Sequence, residues 1–200
     1  MPISHKNEII LIHIPKNAGT SIEKTLKMSD TGHKPWSYYH KKYPNEWKTY
    51  KKLAVFRDPV DRLISCYNYA KMENSYWHSV SGDSIYGKHP DYDFASKNPI
   101  EAIVEGLYNR DLSLRHPGWD LQSKWITSSG HLMVSDLVMI EDLSGWFEAN
   151  GLPNLDSLNK SKKDQALKNR ICSNKAILDK IEKIYQQDFM IYNRRSNERK

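Results

Sequence analysis

The stretch Ile9-Ile10-Leu11-Ile12-His13-Ile14-Pro15-Lys16-Asn17-Ala18-Gly19-Thr20-Ser21 decides the fold of this chain. Its apolar run ends in a Pro-Lys pair, and a turn of small residues then leads into two hydroxyl side chains. Beyond the turn, Ile22 and Leu26 lie four positions apart, a spacing typical of a helix. The pattern predicts a buried strand over residues 8–14, a tight loop, and a helix over residues 18–28.

The loop in this stretch suits a phosphate or sulfate group. The first turn of a helix leaves backbone N–H groups unpaired and carries partial positive charge. Ala18 and Gly19 let an anion approach that backbone. Lys16 adds a full charge, and Thr20 and Ser21 add hydroxyl donors.

Length and charge narrow the choice of protein class. A chain of 200 residues is large enough for a hydrophobic core and predicts one domain over residues 1–200, with a frayed tail at 193–200. The net charge of +6 favours an anionic partner such as a nucleotide, a nucleic acid or an acidic glycan, although solvated surface lysines also explain it. Cys66 and Cys172 are too far apart in the sequence for a zinc motif, and Cys66 fits a small core residue.

No apolar run approaches the ~20 residues that span a bilayer. Residues 1–6 lack the apolar stretch of a signal peptide. We therefore expect a cytoplasmic protein, or a domain cut from a longer chain.

A second motif has the same order of elements as the first: an apolar strand, a charged turn and a helix. The short apolar run 53–56 predicts another buried strand, and Arg57-Asp58-Pro59 follows it directly. Asp58 is a natural N-cap and Pro59 a natural first helical residue. Apolar residues at helical spacing then predict an amphipathic helix to about Lys71.

A third apolar run at 137–140 completes a pattern of short strands separated by helices. Further helices are predicted over 99–107, 117–126, the residues before 151, and 173–191. The alternation predicts an α/β fold, specifically a three-layer, P-loop-like fold with a short central parallel sheet flanked by helices. Ligands of such folds bind at the carboxyl ends of the strands, where Lys16 and Arg57 would lie near one another.

The loop does not match a Walker nucleoside-triphosphate motif, because Lys16 precedes Gly19 instead of following it. Glu141 after the third strand imitates a Walker B acid, so a P-loop-type kinase or NTPase using Lys16 and Glu141 is one alternative. A non-enzymatic nucleic-acid binder is another, although lysine and arginine are spread along the chain.

Two segments taken together indicate a protein family more specifically than the first loop does alone. Residues 14–21 (IPKNAGTS) and 56–67 (FRDPVDRLISCY) resemble the nucleotide-binding signatures of sulfotransferases that use 3′-phosphoadenosine 5′-phosphosulfate (PAPS). The nearer resemblance is to the carbohydrate group that includes heparan sulfate 2-O-sulfotransferases and their bacterial relatives. It covers about twenty residues strongly, with a weaker echo through Gln122, residues 140–143 and residues 158–163. The chain is short for these enzymes.

The resemblance implies a role for each motif. Backbone groups of residues 17–21 and the two hydroxyls of the first loop would bind the 5′-phosphosulfate. Lys16 would contact the oxygen that bridges phosphate and sulfate, where charge builds as the S–O bond breaks. Arg57 and Ser65 would bind the 3′-phosphate, unless Arg57 instead pairs with Asp58 or Asp61. The implied donor-binding residues are Lys16, Asn17, Ala18, Gly19, Thr20, Ser21, Arg57, Ser65, Ser161 and Lys162.

A general base must take the proton of the acceptor hydroxyl, and histidine suits this work near neutral pH. His33, His40 and His116 are the candidates, because His5 is terminal and His13 falls inside the predicted strand. In the resembled glycan enzymes the catalytic histidine precedes the Arg-Asp-Pro motif by some twenty residues, which favours His33. A glutamate base, as in other sulfotransferases, would be Glu23 or Glu141.

The sequence thus predicts in-line transfer of a sulfuryl group from PAPS to a hydroxyl, on a carbohydrate acceptor. Lys16 and His33 would be the catalytic residues. The basic residues 159–163 resemble a family loop that closes over the nucleotide. The aromatic residues of segments 35–50 and 76–92 could stack on sugar rings or equally belong to the core. No metal, nucleic acid or membrane span is expected.

Overall fold

The computed structural model describes residues 2–29, 32–73, 89–111, 113–114, 116–155 and 164–198. The strands are β1 (Ile3–Ser4), β2 (Ile9–Ile12), β3 (Lys51–Phe56), β4 (Thr127–Ser128), β5 (His131–Leu132) and β6 (Asp136–Met139). The helices are α1 (Gly19–Thr25), α2 (Trp36–Lys42), α3 (Pro44–Thr49), α4 (Pro59–Ala70), α5 (Tyr92–Lys97), α6 (Ile100–Tyr108), α7 (Ser123–Ile126), α8 (Leu143–Ala149), α9 (Gln165–Ser173), α10 (Lys175–Ile184) and α11 (Gln186–Asn197).

The central sheet is small and mixed. Its strand order is β1-β2-β3-β6, in which β2, β3 and β6 run parallel, as predicted. The expectation of a purely parallel sheet is wrong at one edge, because β1 pairs antiparallel to β2 through Ile3 opposite Ile10. A strand of two residues is too short to produce a periodic pattern in the sequence. β4 and β5 form a separate antiparallel pair.

Side-chain alternation along the parallel strands builds a core on each face of this sheet. One face buries residues that pack with the aromatic side chains of α2, α3 and α7, namely Ile10, Ile12, Ala54, Phe56, Leu137 and Met139. The other face packs with α1 and α8 and buries Ile9, Leu11, Leu53, Val55 and Val138. The α/β prediction with helices flanking the sheet is confirmed.

The chain divides into two compact units. The first comprises Met1–Arg57, Leu121–Ser161 and Ile191–Lys200, and it contains the sheet. The second comprises Asp58–Asp120 and Lys162–Met190. The single-domain assignment stays a prediction.

The second unit is helical. The Asp58 side chain caps α4 as predicted, accepting a hydrogen bond from the Asp61 N–H at 2.8 Å. Lys168 Nζ lies 2.9 Å from the Asp61 carboxylate and 3.6 Å from that of Asp58. Cys66 is buried, and its Sγ donates to the Gly118 carbonyl at 3.2 Å, which confirms it as a small core residue.

Two predicted helices are wrong in extent. The segment 117–126 is not one helix but a 3-10 turn, Pro117–Trp119, followed by α7. The break comes at Asp120, which is extended (ψ 157°) and whose carbonyl accepts from the Arg62 guanidinium at 2.8 Å.

The segment 173–191 is likewise split between α10 and α11 at Tyr185. Burial raises the pKa of the Tyr185 hydroxyl, which donates to the Trp119 carbonyl at 3.0 Å. This long-range bond anchors the residue at which the helix is interrupted.

Across the part of the chain that the structure describes, no helix is both long enough and apolar enough to cross a membrane.

Candidate active site

The loop after β2 has an unusual backbone. Lys16 (φ 70°) and Ala18 (φ 61°) both adopt the left-handed conformation, on either side of Asn17. Each such non-glycine residue costs on the order of 1–3 kcal/mol and persists only where the surroundings impose it. α1 begins immediately after, with the Ile22 N–H donating to the Ala18 carbonyl at 3.1 Å.

Asn17 supplies the restraint on this loop. Its side chain is buried, and Nδ2 donates to the Val55 carbonyl at 2.7 Å and to Gln122 Oε1 at 2.6 Å. The amide therefore points into the protein and ties the loop to the end of β3. Any contribution of Asn17 to an anion site has to come from its backbone.

His13 fills the space beside Gly19. A Cβ on Gly19 would lie 1.9 Å from His13 Cδ2 and 2.2 Å from Nε2, so only glycine fits here. The packing of this ring therefore also requires glycine at position 19, in addition to the predicted access of an anion to the backbone. His13 Nδ1 donates to the buried Glu23 carboxylate at 2.9 Å. The predicted strand 8–14 is too long, since β2 ends at Ile12 and His13 belongs to the loop region.

His33 lies against His13. Its Nδ1 donates to the His13 carbonyl at 2.9 Å, and the two rings meet edge to face with centroids 4.4 Å apart. A carbonyl can only accept, so the hydrogen of the neutral His33 ring sits on Nδ1 and the lone pair on Nε2. This is the tautomer that a general base acting through Nε2 needs.

The other candidate histidines have different surroundings. His40 is exposed on α2, and its ring packs beside Trp36 and Trp47 at 5.9 and 5.8 Å. His116 belongs to the second unit, is 5% exposed, and its Nδ1 accepts from the Gly118 N–H at 2.9 Å.

Arg57 follows the last residue of β3 and is half-buried. Its backbone N–H donates to Gln122 Oε1 at 3.0 Å, and its carbonyl accepts from Gln122 Nε2 at 2.9 Å. Asp58 and Asp61, the alternative partners predicted for Arg57, both pair with Lys168 in the second unit. The alternative stays a prediction.

A model of the sulfotransferase family matches residues 1–103, which include β2, its loop, β3 and the Arg57 motif. This chain belongs to the sulfotransferase family. It is therefore an enzyme of sulfuryl transfer, and the geometry described above is its candidate active site. Comparisons with curated proteins and with solved structures gave no match.

The structure brings part of the predicted donor site of the sulfotransferase together within the first unit. Lys16 and Thr20 are half-buried, and Ser21 is buried on α1. Ser65 lies in the second unit, buried on α4. Ser161 and Lys162 lie outside the described residues.

Sequence reasoning missed two contributors to the site. His13 falls inside the predicted strand, and Gln122 belongs only to the weaker part of the resemblance. A buried glutamine has no motif of its own, so contacts made in the folded chain are needed to find it. In the described ranges no group of three or more histidine, cysteine, aspartate or glutamate side chains is arranged to hold a metal ion.

Proposed function

We propose that this sulfotransferase moves a sulfuryl group from PAPS to a hydroxyl group of a carbohydrate. The observation that carries the proposal is the hydrogen bond from Asn17 Nδ2 to the Val55 carbonyl, 2.7 Å long. It ties the loop of Lys16, which follows β2, to β3, the adjacent parallel strand that ends just before Arg57. Two cationic motifs held this way suit a nucleotide that carries phosphate at both its 5′ and its 3′ positions.

The donor would lie with its 5′-phosphosulfate along backbone groups of residues 17–21 and the Thr20 and Ser21 hydroxyls. Arg57 offers a planar fork for the 3′-phosphate. Asp58 and Asp61 each pair with Lys168, which supports this role because that cation already balances the two carboxylates. The parts assigned to Ser65, Ser161 and Lys162 stay predictions.

In the transfer step, the acceptor oxygen attacks sulfur in line with the bond to the phosphate oxygen. The new O–S bond forms as the bridging S–O bond breaks, and its electron pair stays on the phosphate. Lys16 stabilises that developing charge. His33 Nε2 takes the proton of the acceptor hydroxyl, and the Nδ1 hydrogen bond to the His13 carbonyl holds the ring in the required tautomer.

The helices α2 and α3, which follow His33 in the chain, support a carbohydrate acceptor. Trp36, Tyr38 and Trp47 are half-buried there, so each ring keeps an accessible part. Lys42 Nζ lies 5.3 Å from the centre of the Tyr38 ring, and Lys52 Nζ lies 5.8 Å from that of Trp47. Aromatic faces with cations suit a sugar, and especially an anionic one, as in the heparan sulfate 2-O-sulfotransferase-like group.

The test begins with binding of the product nucleotide, adenosine 3′,5′-bisphosphate. A ligand that binds only the folded chain stabilises it and so raises its melting temperature. At a ligand concentration of one hundred times Kd the stabilisation is about 2.7 kcal/mol. Adenosine 5′-phosphate and Mg²⁺–ATP serve as controls, since a P-loop kinase would prefer the latter. Transfer of labelled sulfate from PAPS to a panel of glycans then tests the acceptor. The proposal is contradicted if the melting temperature is unchanged by the bisphosphate but raised by Mg²⁺–ATP.

A further inference from the structure

Gln122 joins the two motifs of the proposed donor site. It lies just before α7 and is 0% exposed. Oε1 accepts from Asn17 Nδ2 at 2.6 Å and from the Arg57 N–H at 3.0 Å. Nε2 donates to the Arg57 carbonyl at 2.9 Å. One side-chain amide thus contacts the residue beside Lys16 and both backbone groups of Arg57.

The direction of these bonds is fixed by the backbone. The Arg57 N–H can only donate and its carbonyl can only accept, which determines both ends of the Gln122 amide. Oε1 must then meet a donor on Asn17, whose second amide hydrogen goes to the Val55 carbonyl. Glutamate lacks the donor and asparagine is one methylene shorter, so neither can reproduce the set.

The position of Gln122 explains why the chain needs it. The pairing of β3 with β6 ends at Phe56 opposite Met139, and its pairing with β2 ends at Ala54. Arg57 lies beyond both, so no strand among the described residues continues the ladder for its backbone. The Gln122 amide takes the place of a neighbouring strand and fixes the point from which the Arg57 side chain departs.

We infer that Gln122 is a positioning residue that sets the spacing between the Lys16 loop and Arg57. The inference rests on the proposed function, because the spacing matters for a nucleotide phosphorylated at both ends. Gln122 acts through Asn17 and Arg57 and needs no contact with the nucleotide. Its substitution should therefore reduce recognition of the 3′-phosphate more than overall nucleotide binding.

The experiment measures, by calorimetry, Kd for adenosine 3′,5′-bisphosphate and for adenosine 5′-phosphate. The ratio of the two constants reports recognition of the 3′-phosphate. In Gln122→Glu we expect this ratio to fall at least about tenfold, equivalent to about 1.4 kcal/mol. Gln122→Asn provides a second, uncharged test should the glutamate variant not fold. Ile103→Val removes a buried methyl group from α6 of the second unit and is the control for lost stability alone.

A double-variant cycle separates positioning from a structural role. In an Arg57→Met background, Gln122→Glu should leave the ratio unchanged, because the group that it positions is absent. If Gln122 were only structural, its substitution would weaken the binding of both nucleotides in parallel and leave the ratio of the two Kd values as in Ile103→Val. A folded Gln122 variant with the wild-type ratio overturns the inference alone. A wild-type chain that binds both nucleotides equally overturns the proposed function, and the inference with it.

Discussion

Substitution of Gly19 by alanine tests the packing at the start of α1. The new Cβ would lie 1.9 Å from His13 Cδ2, 2.2 Å from Nε2 and 2.5 Å from Cγ. Distances under 3.0 Å do not occur for real Cβ atoms, so the ring has to move. It is held by the Glu23 carboxylate at 2.9 Å and is 7% exposed, so it has little room to do so.

The free-energy change follows from opposing effects. Overpacking costs about 1–3 kcal/mol. A ring that escapes by leaving Glu23 unpaired would cost about 1–3 kcal/mol instead, so either route is unfavourable. Alanine recovers about 0.4–1 kcal/mol by restricting the unfolded chain. We expect a net loss of about 1–2 kcal/mol, and a melting temperature lower by about 2–8 °C for a chain of this size.

Scanning calorimetry provides the measurement, and Gly145→Ala provides the control. Gly145 is exposed on α8, and a Cβ there meets nothing within 4 Å. Alanine should stabilise that helix by up to about 1 kcal/mol, so the two variants should change the melting temperature in opposite directions. In a His13→Ala background the penalty at Gly19 should disappear. A Gly19→Ala chain as stable as Gly145→Ala, or a penalty that survives removal of the ring, would refute the reasoning.

The remaining predictions concern catalysis and capping. Lys16→Met should lower the rate of sulfuryl transfer by about 10²–10³-fold with little change in melting temperature, because it removes a charge that acts on the leaving oxygen. Steady-state kinetics and a thermal scan measure the two effects, and an unchanged turnover would contradict the prediction. His33→Gln should lower kcat by about 10²–10⁴-fold without weakening the binding of adenosine 3′,5′-bisphosphate. His40→Gln, which alters an exposed ring, should retain activity. Equal losses of activity in the two variants would exclude His33 as the specific base. Asp58→Ala should cost about 1 kcal/mol in urea unfolding by removing the cap of α4, and Asp58→Asn should recover most of it; identical losses would show that the cap is not the stabilising interaction.

The motifs could be predicted from the sequence because their signals are local. An apolar run followed by a turn and a helical spacing specifies β2, its loop and α1 with few alternatives. Asp58 and Pro59 specify the start of α4 equally well, since a cap and a first-turn proline act within a few residues. Adjacent placement of the Lys16 and Arg57 motifs followed from the way that parallel strands end at one edge.

Contacts between distant residues could not be predicted in this way. The edge strand β1 is too short for a pattern, and the break at Asp120 depends on Arg62, which lies 58 residues earlier in the chain. The tautomer of His33 depends on where the chain returns after α1. Such contacts involve ordinary residue types whose roles are set by their partners.

The sequence by itself determined the chemistry that the chain can offer: a cationic loop, an arginine at a strand end, and a histidine at a suitable distance before it. The tertiary structure decided how these groups are held. Gln122, 65 residues after Arg57 and 105 after Asn17, satisfies the backbone of one motif and the side chain of the other. The physical reason is that buried polar groups must find partners, and those partners come from whichever segment folding brings alongside.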